Sequence, residues 1–205
     1  MTTALRTGHA LTPVAITDGR RRMLTAAAVL GLLGALESAA TALLDAVRLV
    51  SYGPSVWWST VDVLTSVLLA AGLAAFAAMK PATGWLMRIG VTIALAGLGV
   101  FTLASALAFS DADAGEKLHP ISVPVTAIGM LIIGVAVVRA ARWQGWRRFA
   151  PLGCGVVPFT IELPGFLSVG DTPQLGYFIA CTWTAWALMF IAALSRPAKP
   201  RRQGR

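Results

Sequence analysis

The sequence predicts an all-α polytopic membrane protein, a bundle of six transmembrane helices with both termini cytoplasmic. Three observations predict it. Of 205 residues, 57% are hydrophobic and only 13% charged, at a mean hydropathy of +0.73, whereas a soluble domain carries about 25% charged residues. Apolar runs of roughly 20 residues, long enough to cross the hydrocarbon as helices, recur six times. The 17 Lys and Arg divide fifteen to two between the sides that six spans define, and loops rich in Lys and Arg stay in the cytoplasm. Six spans leave no room for a separate soluble domain of about 50 residues or more. The expected organisation is a flexible basic cytoplasmic segment at 1–22, a six-helix transmembrane domain at 23–195 and a basic cytoplasmic tail at 196–205.

Span one covers 23–44, behind Arg20, Arg21 and Arg22. Arginines ahead of an apolar run, with Ser38-Ala39-Ala40 behind it, have the layout of a twin-arginine or secretory signal peptide. Glu37 interrupts the small-residue approach to a cleavage site, and the run exceeds the usual apolar length of about 7–15 residues, so a retained span is expected. Small residues recur in it at four-residue spacing, Ala27, Gly31, Ala35 and Ala39, with Gly34, Ser38 and Ala42 one face over. Such faces let helix backbones approach closely.

Span two covers 56–79, and span three covers 85–109 with a second small-residue set, Gly90, Ala94, Gly97 and Gly99. Span four runs over 120–138 and span six over 174–194. Span five, 149–169, is the weakest, because Pro151, Pro158, Pro164, three glycines and Glu162 fall inside it. Charge decides in its favour: without it the basic tail would lie outside, against the bias.

With six spans, one side holds Arg6, Arg20–Arg22, Lys80, Arg88, Arg139, Arg142, Arg147, Arg148 and the tail cations, and the other only Arg48 and Lys117. The acids run the opposite way: Asp45, Asp111, Asp113, Glu116 and Asp171 are external and Asp18 is internal. Tyr52, Trp57, Trp58 and Tyr177 fall at the outer interface and Trp85, Trp143 and Trp146 at the inner one, where amphipathic rings prefer to sit. The formal net charge of +8 resides in short juxtamembrane loops and tails. It therefore points to a bilayer with anionic headgroups on the cytoplasmic side, and not to nucleic acid.

Glu37, Asp62 and Glu162 remain inside the hydrocarbon and are the candidate ion- or proton-binding residues. An intramembrane acid facing lipid costs several kcal/mol, so each is expected to face the bundle interior, water or a partner. Counted from the external span ends they lie seven, six and seven residues deep, or about 9–11 Å at 1.5 Å per residue, which allows one common layer. Supporting polar residues are Thr41, on one stripe with Glu37 and Asp45; Ser59 and Ser66, flanking Asp62; and Thr160 beside Glu162. Asp62 is expected near the interface, hydrogen-bonded close to Ser59. Pro158 and Pro164 lack backbone donors and would free the carbonyls of Cys154 and Thr160, and transporters build cation sites from broken helices of this kind. The plainer alternative for Glu162 is a kinked helix whose carboxyl is hydrogen-bonded to a neighbour.

Trp183 and Trp186 are read as packing residues. Cys154 and Cys181 sit near opposite faces, too far apart for a disulfide, and are expected to be small buried apolar groups. No CxxC, zinc-spacing or haem-attachment motif is present, so no metal or other cofactor is expected. HExxH, GxSxG and Ser/His constellations are likewise missing, which argues against a hydrolytic enzyme.

The segment Trp143-Gln144-Gly145-Trp146-Arg147-Arg148-Phe149-Ala150-Pro151-Leu152-Gly153-Cys154-Gly155 resembles the loop and the start of a span in small, uncharacterised multi-pass integral membrane proteins of high-GC bacteria. The likeness covers roughly the last quarter of the chain. It implies that spans five and six form a hairpin, and it brings no activity and no functional residue. The expected function is small-solute or cation/proton-coupled transport in a bacterial cytoplasmic membrane. The rival expectation is a non-catalytic scaffold or accessory subunit that binds another membrane protein, or a second copy of itself, through the small-residue faces. A third, weaker reading is an intramembrane enzyme acting on lipid.

Overall fold

The computed structural model describes residues 18–49, 56–170 and 172–195. Residues 1–17, Tyr52, Asp171 and the tail at 196–205 lie outside the described residues, as do the side chains of Val56, Ala112 and Glu116. The described residues are mostly helical, with six helices long and apolar enough to cross a membrane, so the protein is an all-α multi-pass bundle.

Four of the spans are uninterrupted: α1 (Asp18–Ala46), α2 (Val56–Ala78), α3 (Trp85–Leu107) and α4 (Ala112–Ala140). The fifth is built in three pieces, α5 (Ala150–Val157), a π turn (Pro158–Glu162) and α6 (Leu163–Val169), and the sixth is α7 (Leu175–Leu194). Two helices outrun their apolar cores. α1 begins at Asp18 and takes in Arg20, Arg21 and Arg22, so the expected boundary at residue 22 falls inside a helix. α4 begins eight residues before Pro120, because the Asp111 side chain caps it by accepting from the Ala114 backbone N–H at 3.0 Å. Pro120 and Pro124 are both accommodated within the helix. His119 is thereby carried on a helix rather than on a loop.

The helices close into a ring: α1 packs on α2, α2 on α3, α3 on α4, α4 on α5, α5 on α7, and α7 back on α1. The small-residue face of α1 makes this closure possible. A Cβ on Gly31 would lie 2.9 Å from the Gly72 backbone and 2.7 Å from the Phe190 ring, so only hydrogen fits where α1, α2 and α7 meet. In α3, Gly90, Ala94 and Gly97 are buried. Gly99 is not part of that contact; it is exposed, and a side chain there would meet nothing within 4 Å.

The two halves of the ring differ. Towards the end carrying Lys80, Arg142 and Arg147, the interior is filled by Leu73, Phe76, Met130, Ile133, Met189 and Phe190, all fully buried. Loops at this basic end are tied together. Arg142 donates to the Lys80 carbonyl at 3.3 Å, Arg147 donates from Nε to the Ala192 carbonyl at 2.9 Å, and Trp143 stands edge-on to Phe76 and under the Arg147 guanidinium. Towards the other end, where Asp45, Asp111 and Asp113 lie, the ring is open inside.

Candidate functional site

The open half contains a cavity of about 660 Å³ to which all six spans contribute. Glu37 from α1, Asp62 from α2 and Glu162 from the π turn all line it, together with His119 from α4. These residues stand nine, six, seven and seven residues from the acidic ends of their helices, which at 1.5 Å rise is about 9–14 Å deep.

α1 delivers its polar stripe as the four-residue spacing requires: Glu37, Thr41 and Asp45 face the cavity together. Glu37 is held by two hydroxyls. Thr41 Oγ1 on the same helix donates to Oε1 at 3.0 Å, and Thr65 Oγ1 on α2 donates to Oε2 at 2.8 Å. Thr65 is only 4% exposed, so this second bond is a buried brace between two helices. Asp62 lies three residues before Thr65 on the same helix and lines the cavity. Ser59 is buried and does not line the cavity.

Span five supplies Glu162 through its break. Pro158 cannot donate to the carbonyl four residues back, and the chain responds with a π turn in which the Leu163 N–H bonds to the Pro158 carbonyl. Glu162 closes that turn. Thr182 Oγ1 on α7 donates to Glu162 Oε2 at 2.5 Å, so the carboxylate is hydrogen-bonded as well as cavity-facing. The remaining wall is aromatic: Phe101 stands edge-on to His119 at 4.8 Å between centroids and edge-on to Trp183 at 6.5 Å. A smaller pocket of about 50 Å³ continues inward beneath Glu162, bounded by Ser122, Thr126, Thr182, Cys154 and Trp186. Glu162, Phe101 and Trp183 border both spaces, which puts Glu162 at the junction between them.

Three of the four supporting residues expected from the sequence do not join this site. The Ser66 hydroxyl donates to the Val63 carbonyl and pairs with Thr102 at 2.7 Å, bracing α2 against α3. Ser59 is buried outside the cavity lining, and Thr160, exposed on span five, donates to its own helix at the Val156 carbonyl. Only Thr41 is at the cavity. Trp186 packs in the core as expected, but Trp183 also lines the cavity that holds Glu162. Cys154 is buried, and Cys181 is exposed instead; both are free thiols.

Thr65 and Thr182 are the site residues that sequence reasoning missed; His119, placed by the sequence at the external edge of span four, lines the cavity. Thr182 was accessible by depth, since it lies seven residues inside α7 just as Glu162 lies seven residues inside span five. Thr65 lies on the same helical stripe as Asp62. Among the described residues no three His, Cys, Asp or Glu side chains come close enough to hold one metal ion. No family model, curated protein or solved structure matches the chain.

Proposed function

We propose that the protein is a small transport protein of a bacterial cytoplasmic membrane. It takes up a solute or cation into the cavity from the acidic, external end, and Glu37 and Glu162, assisted by Asp62, carry the coupling proton or cation. The supporting observation is that these acids, from three separate spans, border one cavity in the bundle interior. Intramembrane carboxylates facing an interior space are characteristic of substrate and proton pathways. Asp45 and His119 face the same space and are, among the described residues, the other titratable groups on its walls.

A scaffold would offer its small-residue faces to a partner. Here Gly31, Gly34 and Ala35 are buried in the chain's own α1, and Gly90, Ala94 and Gly97 in its own α3, which supports the transport reading. The positive-inside bias assigns the basic end to the cytoplasm, where exposed Arg20, Arg21, Arg22, Arg88 and Arg148 meet anionic headgroups. The decisive experiment is uptake driven by a proton gradient in proteoliposomes, read by a lumenal pH dye. The double substitution Glu37→Gln and Glu162→Gln abolishes it if the reading holds; unchanged uptake refutes it, and partner co-purification that survives the same substitutions restores the scaffold.

A further inference from the structure

The chemistry of the cavity wall narrows what the cavity can hold. Among the described residues four carboxylic side chains border it, Glu37, Asp45, Asp62 and Glu162, and neither Lys nor Arg does. Walls of one charge sign, set in low-dielectric surroundings, select the opposite charge. The carboxylates are spread around a space of about 660 Å³, a volume typical of sites for drug-sized molecules. They do not gather into a cluster that could grip one metal ion. Charge distributed over a wide wall suits a bulky cation with diffuse charge better than a point ion.

The rest of the wall is apolar and aromatic. Phe101, Phe159, Phe166 and Trp183 face the cavity, and aromatic faces attract cations through their quadrupoles, most strongly at Trp. The cavity also has a side towards the hydrocarbon. Span five meets α4 through α5 and the π turn, whereas α6 packs on α7 and, among the described residues, not on α4, which leaves a slot between α4 and α6 at the acidic end. That slot is edged by Pro120 and Pro124 on one side and Leu163 and Phe166 on the other.

We propose that the cavity binds a hydrophobic organic cation that reaches it from the acyl-chain region between α4 and α6. Its charge lies among Glu37, Asp62 and Glu162 and its apolar groups against Phe101, Phe159 and Trp183. The proposal names the solute class of the transport reading and rests on that reading for movement across the bilayer, though not for binding.

The test is equilibrium dialysis of the full chain in detergent against tetraphenylphosphonium. Saturable binding is expected at one cation per chain, and tetraphenylborate, of the same shape and opposite charge and dialysed separately, shows no saturable binding. Glu162→Gln, which keeps an acceptor for Thr182, weakens binding about tenfold or more, and Trp183→Ala weakens it as well. Equal binding of the borate, or absence of saturable phosphonium binding by the wild-type chain, overturns the proposal without reference to any variant. The two readings fail separately. Phosphonium binding with no uptake in vesicles removes transport alone, and gradient-driven uptake of an inorganic cation such as sodium without phosphonium binding removes the organic-cation assignment alone.

Discussion

Thr182 on α7 donates its hydroxyl to Glu162, the last residue of the π turn, and so ties the broken fifth span to the sixth at the level of the cavity. Thr182 is 7% exposed while Glu162 keeps one face on the cavity, so the donor is fixed in the protein and the acceptor is presented to whatever enters. Away from water, a hydrogen bond to a carboxylate matters most when one partner is removed, because the other is left unsatisfied.

Replacing Thr182 with Val should therefore cost about 1–3 kcal/mol of stability and lower uptake, whereas Thr182→Ser should retain most of both. Unfolding of the purified protein in mixed micelles, followed by Trp fluorescence, reads the first quantity. Equal stability of the Val and Ser variants would contradict the role of this hydroxyl.

The two hydroxyls on Glu37 differ in environment, and the variants should differ accordingly. Thr65, buried on α2, couples two helices, while Thr41 is half-buried on the same helix as Glu37. Thr65→Val is expected to reduce uptake more than Thr41→Val, since it removes the brace that sets the direction of the carboxylate. Measured initial rates in proteoliposomes rank the two; the reverse order would argue that Glu37 is positioned from α1 alone.

Close helix approach predicts a contrast between two glycines. Gly31→Ala places a methyl group against the Gly72 backbone and the Phe190 ring and should destabilise the protein by about 1–3 kcal/mol. Gly99→Ala has open space around it and should be neutral or slightly stabilising. Thermal aggregation midpoints of the two purified variants provide the comparison.

Orientation has its own readout. Ser110, at the acidic end between α3 and α4, and Thr83, at the basic end between α2 and α3, are both exposed. In intact bacterial cells a membrane-impermeant maleimide should label Ser110→Cys and spare Thr83→Cys, with the parent chain as the blank. Labelling of Thr83→Cys before lysis would reverse the assignment of the basic end to the cytoplasm.

Much of this protein is written in one dimension. Span length and loop charge are properties of consecutive residues, so all six spans, including the proline-rich fifth, and the separation of basic from acidic ends could be read directly. The depth of Glu37, Asp62 and Glu162 was legible for the same reason, because 1.5 Å of rise per residue turns a count into a distance. Direction around the helix axis was not. Ser66 and Thr160 sit close in sequence to the acids yet bond elsewhere, Ser66 with Thr102 on α3 and Thr160 with the Val156 carbonyl of its own helix, choices that spacing along one helix does not reveal. The π turn at Pro158–Glu162 adds a residue to one turn and rotates everything beyond it, a shift that no periodicity announces. Which faces meet is decided by the order of helices in the ring and by the depth of their contacts, as where Gly31 admits Gly72 and Phe190. The sequence alone determined that three carboxylates lie within apolar spans, at depths that allow one common layer. Only the packing of the helices decided that they share a cavity, with Thr65 of α2 donating to Glu37 and Thr182 of α7 to Glu162.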